Sequence, residues 1–295
     1  MQIIITSMSF AAMVFMPAVA LHAADGAVSI TGLDAAPATT SAGVSWPDEK
    51  IDSWNGYKRH LFRVEGHDCW VVEPKQAAPG NPWTWCMENP DAFTDRTGVP
   101  QLIAKGFHHV HVSAGDNYGN PATIRIYDAF YQAFTVKGLA KKGALIGLSR
   151  GGFCAYNWAA DNTDKVACIY GDAPVCDFKS WPGGKGPHKG GSSGNWDSLL
   201  KSWGFKDEAE AMAYKFNPVD NLANIAKAKI PIIHVVGDAD GFVPPEDNSA
   251  IVEERYKKLG GEIVVIHKPG VGHHPHGLDD PKPLVDFITK NASPL

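Results

Sequence analysis

A chain of 295 residues, 44% hydrophobic and 20% charged, can bury one large core or two small ones, which excludes a disordered or fibrous protein. Its 27 basic and 32 acidic side chains give a formal charge of −5 with no long like-charge block, so no basic stripe exists to follow a phosphate backbone. Nucleic acid is not an expected partner.

Met1 to Ala24 contains no lysine, arginine or acid, runs apolar from Ile3 to Leu21, and has small-residue exits at Ala18-Val19-Ala20 and Leu21-His22-Ala23. That pattern reads as a secretion signal over residues 1–24, lacking the usual positive n-region, and predicts an exported protein, periplasmic or secreted. Without that charge a membrane anchor is the alternative reading, although the stretch is marginal for a bilayer of ~30 Å; no second segment is apolar enough to cross, and no stable span is expected after signal removal. Residues 25–45, rich in Ala, Thr, Ser and Gly, read as a flexible lead-in, and one folded domain is expected over 46–295.

From Trp46 onward, β-rich runs alternate with helix-period segments. Strands at Tyr57–Val64, Cys69–Val72 and His108–Val112 precede a helix over Thr123–Phe134. A strand at Ala144–Gly147, a helix over Gly151–Ala160 and a strand at Val166–Tyr170 follow. Next come helices over Ser198–Trp203 and Glu208–Tyr214, a strand at Ile230–Val236, a helix over Glu246–Leu259, a strand at Glu262–His267 and a helix over Pro283–Lys290. Such alternation predicts an α/β fold, doubly wound, with a mostly parallel sheet and helices on both faces. Glycines 183, 184, 186, 190, 191 and 194 crowd the insertion before the Ile230 strand, which reads either as a mobile loop near function or as a solvated surface loop. Five cysteines, Cys69, Cys86, Cys154, Cys168 and Cys176, leave at least one thiol free, and Cys69 and Cys86 are the pair whose bridging stays open.

Gly147-Leu148-Ser149-Arg150-Gly151 matches Gly-x-Ser-x-Gly between the apolar run Ala144-Leu145-Ile146 and a helix. Flanking glycines remove the Cβ atoms that would clash in a sharp strand-to-helix turn, so Ser149 can project its hydroxyl above the sheet as a nucleophile. The N–H of Arg150, at the start of that helix, is the expected first oxyanion donor. Its guanidinium either binds a substrate carboxylate or forms a structural salt bridge.

A serine hydroxyl needs a base, and the fold would bring one from beyond the last strand. Gly270-Val271-Gly272-His273-His274-Pro275-His276 lies there, with His273 ranked before His274 and His276 because glycines precede it. The acid should follow a buried strand. In Gly237-Asp238-Ala239-Asp240-Gly241, Asp240 is chosen and Asp238 is assigned to stabilising the turn.

With Gly-Leu-Ser-Arg-Gly-Gly at 147–152, Asp-Ala-Pro-Val-Cys-Asp at 172–177, Gly-Asp-Ala-Asp-Gly-Phe-Val-Pro at 237–244 and Lys-Pro-Gly-Val-Gly-His-His-Pro-His at 268–276, the chain resembles the α/β-hydrolase superfamily. It looks most like prolyl-oligopeptidase-like and dienelactone-hydrolase-like bacterial esterases, in a secreted subgroup associated with polysaccharide breakdown. The resemblance implies Ser149, Asp240 and His273 as the catalytic residues, and no cofactor. Where many esterases carry a His-Gly-Gly segment, this chain has Asn81-Pro82-Trp83-Thr84-Trp85-Cys86, with Cys86 in place of the subgroup's arginine. The N–H of Trp83 is the candidate second oxyanion donor.

Trp85, Tyr118 and Trp181 are the candidate substrate-binding aromatics, since flat rings suit sugar faces although large aromatics are more often core. The expected function is a serine carboxylic-ester hydrolase acting on an acetyl, methyl or feruloyl ester of a sugar or polysaccharide, with Arg150 or Lys179 as partners for a uronate carboxylate. The alternatives are a prolyl-oligopeptidase-like serine peptidase, disfavoured because no propeller precedes the hydrolase, a metal-dependent hydrolase built on His108, His109, His111 and the 273–276 cluster, and a non-catalytic carbohydrate-binding scaffold. No His-Glu-x-x-His pattern accompanies those histidines, so no metal is assigned.

Overall fold

The computed structural model describes Val44, residues 50–116 and residues 118–293, so the signal segment and almost all of the lead-in lie outside the described residues. A hairpin comes first: β1 (Lys50–Trp54) and β2 (Tyr57–Val64) turn through Asn55-Gly56, both at positive φ, the conformation in which Asn-Gly matches strand twist. β3 (His67–Glu73) continues the antiparallel edge onto β5 (His108–Val112). From there the ladder is parallel: β4 (Trp83–Cys86), β6 (Gly143–Leu148), β7 (Val166–Asp172), β8 (Ile232–Gly237) and β9 (Ile263–Lys268).

The sheet order is β1-β2-β3-β5-β4-β6-β7-β8-β9. Because β4 is inserted between β5 and β6, the connections diverge there, and it is above the strands' carboxyl ends at such a point that open α/β sheets hold their sites.

Side chains two apart on a strand share a face, and in β6 this sends Leu145 to one core and Ala144, Ile146 and Leu148 to the other. Against the first face pack α3 (Pro121–Thr135), α4 (Arg150–Asp161) and α8 (Ser249–Lys258), through Tyr127, Phe130, Trp158, Val252 and Tyr256. Against the second pack α2 (Val99–Ala104) and α9 (Lys282–Ala292), through Leu102, Leu284 and Ile288. A short helix, α1 (Thr94–Thr97), leads into α2.

The insertion after β7 carries α5 (Ser193–Trp203), α6 (Glu208–Ala213) and α7 (Ala223–Lys227). Its aromatics close a third cluster around Phe178 and Trp196, with Tyr118 and Phe153 from the main body. The glycine-rich loop lies on the segment after β8: the Gly191 N–H donates to the Phe242 carbonyl at 3.3 Å, and the imidazole of His188 meets Asp247 at 2.6 Å.

Some expectations need correction. β1, β4, α1, α2 and α7 were not anticipated, and the helix expected from Glu246 opens instead with a 3₁₀ turn, Pro245–Asp247, before α8. All five cysteines are free and buried. Cys69 and Cys86 cannot bridge because β5 separates their strands and their side chains join opposite cores. Among the described residues no helix is long and apolar enough to cross a membrane.

Candidate active site

The turn at Ser149 is set by what glycine leaves out. Ser149 sits between β6 and α4 at φ 51°, ψ −120°, a conformation that costs a non-glycine residue on the order of 1–3 kcal/mol. Its backbone is held by N–H donation to the Asp172 carbonyl at 2.8 Å and by the Val175 N–H donating to its own carbonyl at 2.9 Å. A Cβ on Gly147 would lie 2.6 Å from the Gly152 Cα, and one on Gly152 would run into Pro174. The turn therefore needs both glycines.

The residues expected at the site arrive from three strand ends. Ser149 Oγ lies 2.9 Å from Nε2 of His273, which stands in the loop after β9, and His273 Nδ1 lies 2.7 Å from Asp240 Oδ2 after β8. Asp240 uses its other oxygen to accept the N–H groups of Phe242 and Val243, both at 2.9 Å. Burial works against its charge, but the hydrogen bond from His273 and those N–H groups hold the carboxyl below its usual range. Turn stabilisation thus belongs to Asp240, not to Asp238, which pairs with the exposed His267 across to β9.

His274 and His276 stay near but take other partners. His274 is exposed and stacks on Phe93 at 5.7 Å, and burial beside the other two rings lowers its pKa. His276 is buried, with Nδ1 2.8 Å from Asp172 Oδ1. The other Asp172 oxygen accepts the Tyr170 hydroxyl and, at 2.8 Å, the Gly277 N–H. This second His–Asp pair was missed; Asp172 opens the 172–177 motif, but no local signal ties it to position 276.

Arg150 starts α4, and its backbone N–H has no acceptor among the described residues. Its guanidinium is committed: Nε donates to Glu88 at 2.6 Å, Nη1 pairs with Asp116, and the group lies 4.8 Å over the Tyr118 ring. The structural salt bridge is therefore the arrangement adopted. Glu88 pays in its turn for burial, which lifts its pKa against the pull of Arg150. Lys179 likewise donates its ammonium to the Tyr214 carbonyl.

Trp83 is corrected as an oxyanion candidate. It begins β4, fully buried against Gly143 at the start of β6, and so lies at the sheet end opposite Ser149. At the carboxyl end of β4 the chain instead presents Glu88, whose N–H has no acceptor among the described residues and packs beside Gly151.

Trp85 is corrected as a substrate platform: it is fully buried, edge-on to Tyr127, Phe130 and Trp158. Tyr118 is also buried, between Arg150 and Asn195, which accepts its hydroxyl at 2.7 Å. Trp181 is half-buried in the insertion after β7, packed against the third cluster. Phe242, which sequence reasoning passed over, is 62% exposed with its ring 6.0 Å from that of His273.

The β5 histidines stand apart from the 273–276 cluster. His109 meets Thr84 Oγ1 at 2.7 Å and His111 meets the Cys86 carbonyl at 2.8 Å, both packed against Trp70. They are wall residues of the second core, not ligands beside Ser149.

The prolyl oligopeptidase family model matches residues 124–292, a span containing Ser149, Asp240 and His273. Comparison with curated proteins gives no match. Among solved structures, a puromycin-hydrolysing peptidase of Mycobacterium tuberculosis is 14% identical with a TM-score of 0.60, over 80% of this chain and 40% of that one. An acylaminoacyl peptidase of Pyrococcus horikoshii is 14% identical with a TM-score of 0.61, over 84% and 43%. An S-formylglutathione hydrolase of Agrobacterium tumefaciens is 14% identical with a TM-score of 0.58, over 83% and 98%. The chain thus spans less than half of either peptidase, and the likeness is one of fold, that of the α/β-hydrolases.

Proposed function

The chain belongs to the prolyl oligopeptidase family and is a serine hydrolase; we propose that it is a carboxylic-ester hydrolase acting on esterified sugars or polysaccharide. The observation that carries this reading is the continuous hydrogen-bonded line from Ser149 Oγ through His273 to Asp240. Asp240 accepts from Nδ1–H, which leaves the Nε2 lone pair to take the serine proton as Oγ attacks the ester carbonyl. The oxyanion forms between the N–H groups of Arg150 and Glu88, the first strengthened by the α4 dipole. His273 returns the proton to the leaving alcohol. Water, deprotonated by the same imidazole, then releases the acid from Ser149.

Phe242 offers aromatic surface beside His273, which suits a sugar ring. Because Arg150 and Lys179 are tied down, recognition of a uronate carboxylate through them finds no support. Export, carried by the apolar residues 3–21, is part of the proposal and places the substrate outside the cytoplasm. The second reading is a peptidase, favoured by the family match itself.

The test compares wild type and Ser149→Ala on p-nitrophenyl acetate, acetylated and methyl-esterified glycans, and aminoacyl p-nitroanilides. Esters should be hydrolysed in preference to anilides, and Ser149→Ala should lose at least ~10⁴-fold in kcat together with fluorophosphonate labelling. Anilides cleaved faster than esters would support the peptidase, and hydrolysis surviving the substitution would remove the mechanism.

A further inference from the structure

We propose that His273, His274 and His276 form a binding site for a borderline transition-metal dication such as Zn²⁺, and that filling it switches the hydrolase off by taking His273 away from Ser149. The ligand nitrogens of the three rings lie within 4.8 Å of one another. Their centroids are 4.8–5.0 Å apart and their planes cross at 77–83°, so the three imidazoles stand nearly at right angles around a common centre.

Two of the rings are prepared as ligands. His273 and His276 each place Nδ1 on a buried carboxylate, Asp240 at 2.7 Å and Asp172 at 2.8 Å. A carboxylate can only accept, so in the neutral rings the proton sits on Nδ1 and Nε2 presents its lone pair. That is the orientation in which protein histidines bind metal, with the carboxylate behind the ring fixing its tautomer and direction. For His276 no protein partner of Nε2 exists among the described residues, although the ring is only 3% exposed.

The backbone beneath the cluster is also fixed. Lys268 donates to the Pro275 carbonyl at 2.6 Å and Arg96 to the His276 carbonyl at 2.7 Å. Two carboxylates at close range compensate a dication. A set of nitrogens alone selects zinc, copper or nickel over magnesium or calcium, which take oxygen. Bonds of about 2.0–2.1 Å require ligand nitrogens roughly 3.3 Å apart in a tetrahedral site. The present spread is wider, and exposed His274 is the ring free to swing in.

Metal on His273 Nε2 would occupy the lone pair that accepts the serine proton, so binding and hydrolysis exclude each other. Only this inhibition rests on the serine-hydrolase reading; the binding does not. The experiment therefore measures Zn²⁺ binding by competition with a chromogenic chelator for wild type, Ser149→Ala and His274→Ala, and p-nitrophenyl acetate hydrolysis for wild type and His274→Ala.

About one Zn²⁺ should bind per chain in wild type and in Ser149→Ala, at least ~10-fold more weakly in His274→Ala. Wild-type hydrolysis should fall at least tenfold at saturation, recover with EDTA and ignore Mg²⁺. His274→Ala should keep the metal-free rate and need at least tenfold more Zn²⁺ for half-inhibition. Absence of binding, binding indifferent to His274→Ala, or hydrolysis unaffected by bound Zn²⁺ would overturn the proposal. A wild type that binds Zn²⁺ but hydrolyses no ester would instead remove the functional reading and leave the site.

Discussion

Gly147 has no space for a methyl group, because the atoms it would meet belong to the backbone of Gly151 and Gly152, which no side-chain rotation can clear. Gly147→Ala is expected to cost about 1–3 kcal/mol through overpacking and to displace the hydroxyl of Ser149. Its urea midpoint should therefore fall, and kcat per folded molecule should fall further than stability alone explains; wild-type turnover in the folded fraction would count against this account. The same steric demand is why Ser149 was legible in the sequence: the turn cannot form without small neighbours, so the motif states its own geometry. His273 was legible in a weaker way, from glycines before it and a position after the last strand. Asp240 was selected on an argument that the structure reverses, since it caps the turn and meets His273 at once. The Asp172–His276 pair spans 104 residues and could not be read, because only the folded sheet brings the end of β7 under the last loop.

At the scale of elements, the long alternating segments were readable and the short ones were not. β4 has four residues, all buried, with no polar alternation to mark it as a strand, so Trp-Thr-Trp-Cys looked like an aromatic loop near substrate. β1 did carry a signal, Asn55-Gly56 between two runs that pair, but its own residues are mostly exposed and weakly apolar. The misplacement of β4 has a measurable counterpart. Trp85→Ala should destabilise the fold by about 3–5 kcal/mol, the usual cost of emptying a buried aromatic site, while leaving KM of the folded fraction unchanged. Phe242→Ala should do the opposite, raising KM for bulky esters with a shift of less than ~0.5 kcal/mol in stability. Equal effects of the two substitutions on KM would show that the aromatic wall of the site has been misassigned.

At the scale of the whole molecule, the sheet encloses histidines that folding keeps neutral. Burial lowers the pKa of His108 to about 4 and those of His109 and His234 to about 3, against 6.5 for a free side chain. Between those values the unfolded chain binds protons that the folded one refuses, so stability is complete above pH 6.5 and declines as pH falls towards 4. Three such groups imply a loss of roughly 4 kcal/mol per pH unit near pH 5, a large part of the ~5–15 kcal/mol typical of a domain. Urea midpoints measured at pH 7.5, 6 and 5 should drop steeply, and a constant midpoint would show that these rings already titrate in the native state. Strand–helix alternation foretold the doubly wound sheet, yet not this acid sensitivity, which depends on the depth at which each ring is enclosed.

The five buried cysteines give the molecule a built-in record of its own history. Only a thiolate reacts quickly with alkylating or oxidising agents, and enclosure raises the Cys69 thiol to about 12 and pushes the other four well up from their ordinary value. Reagents in the surroundings therefore pass the intact protein by. Thiol modification found on a recovered sample marks chains that had opened, and says nothing of damage to the working site.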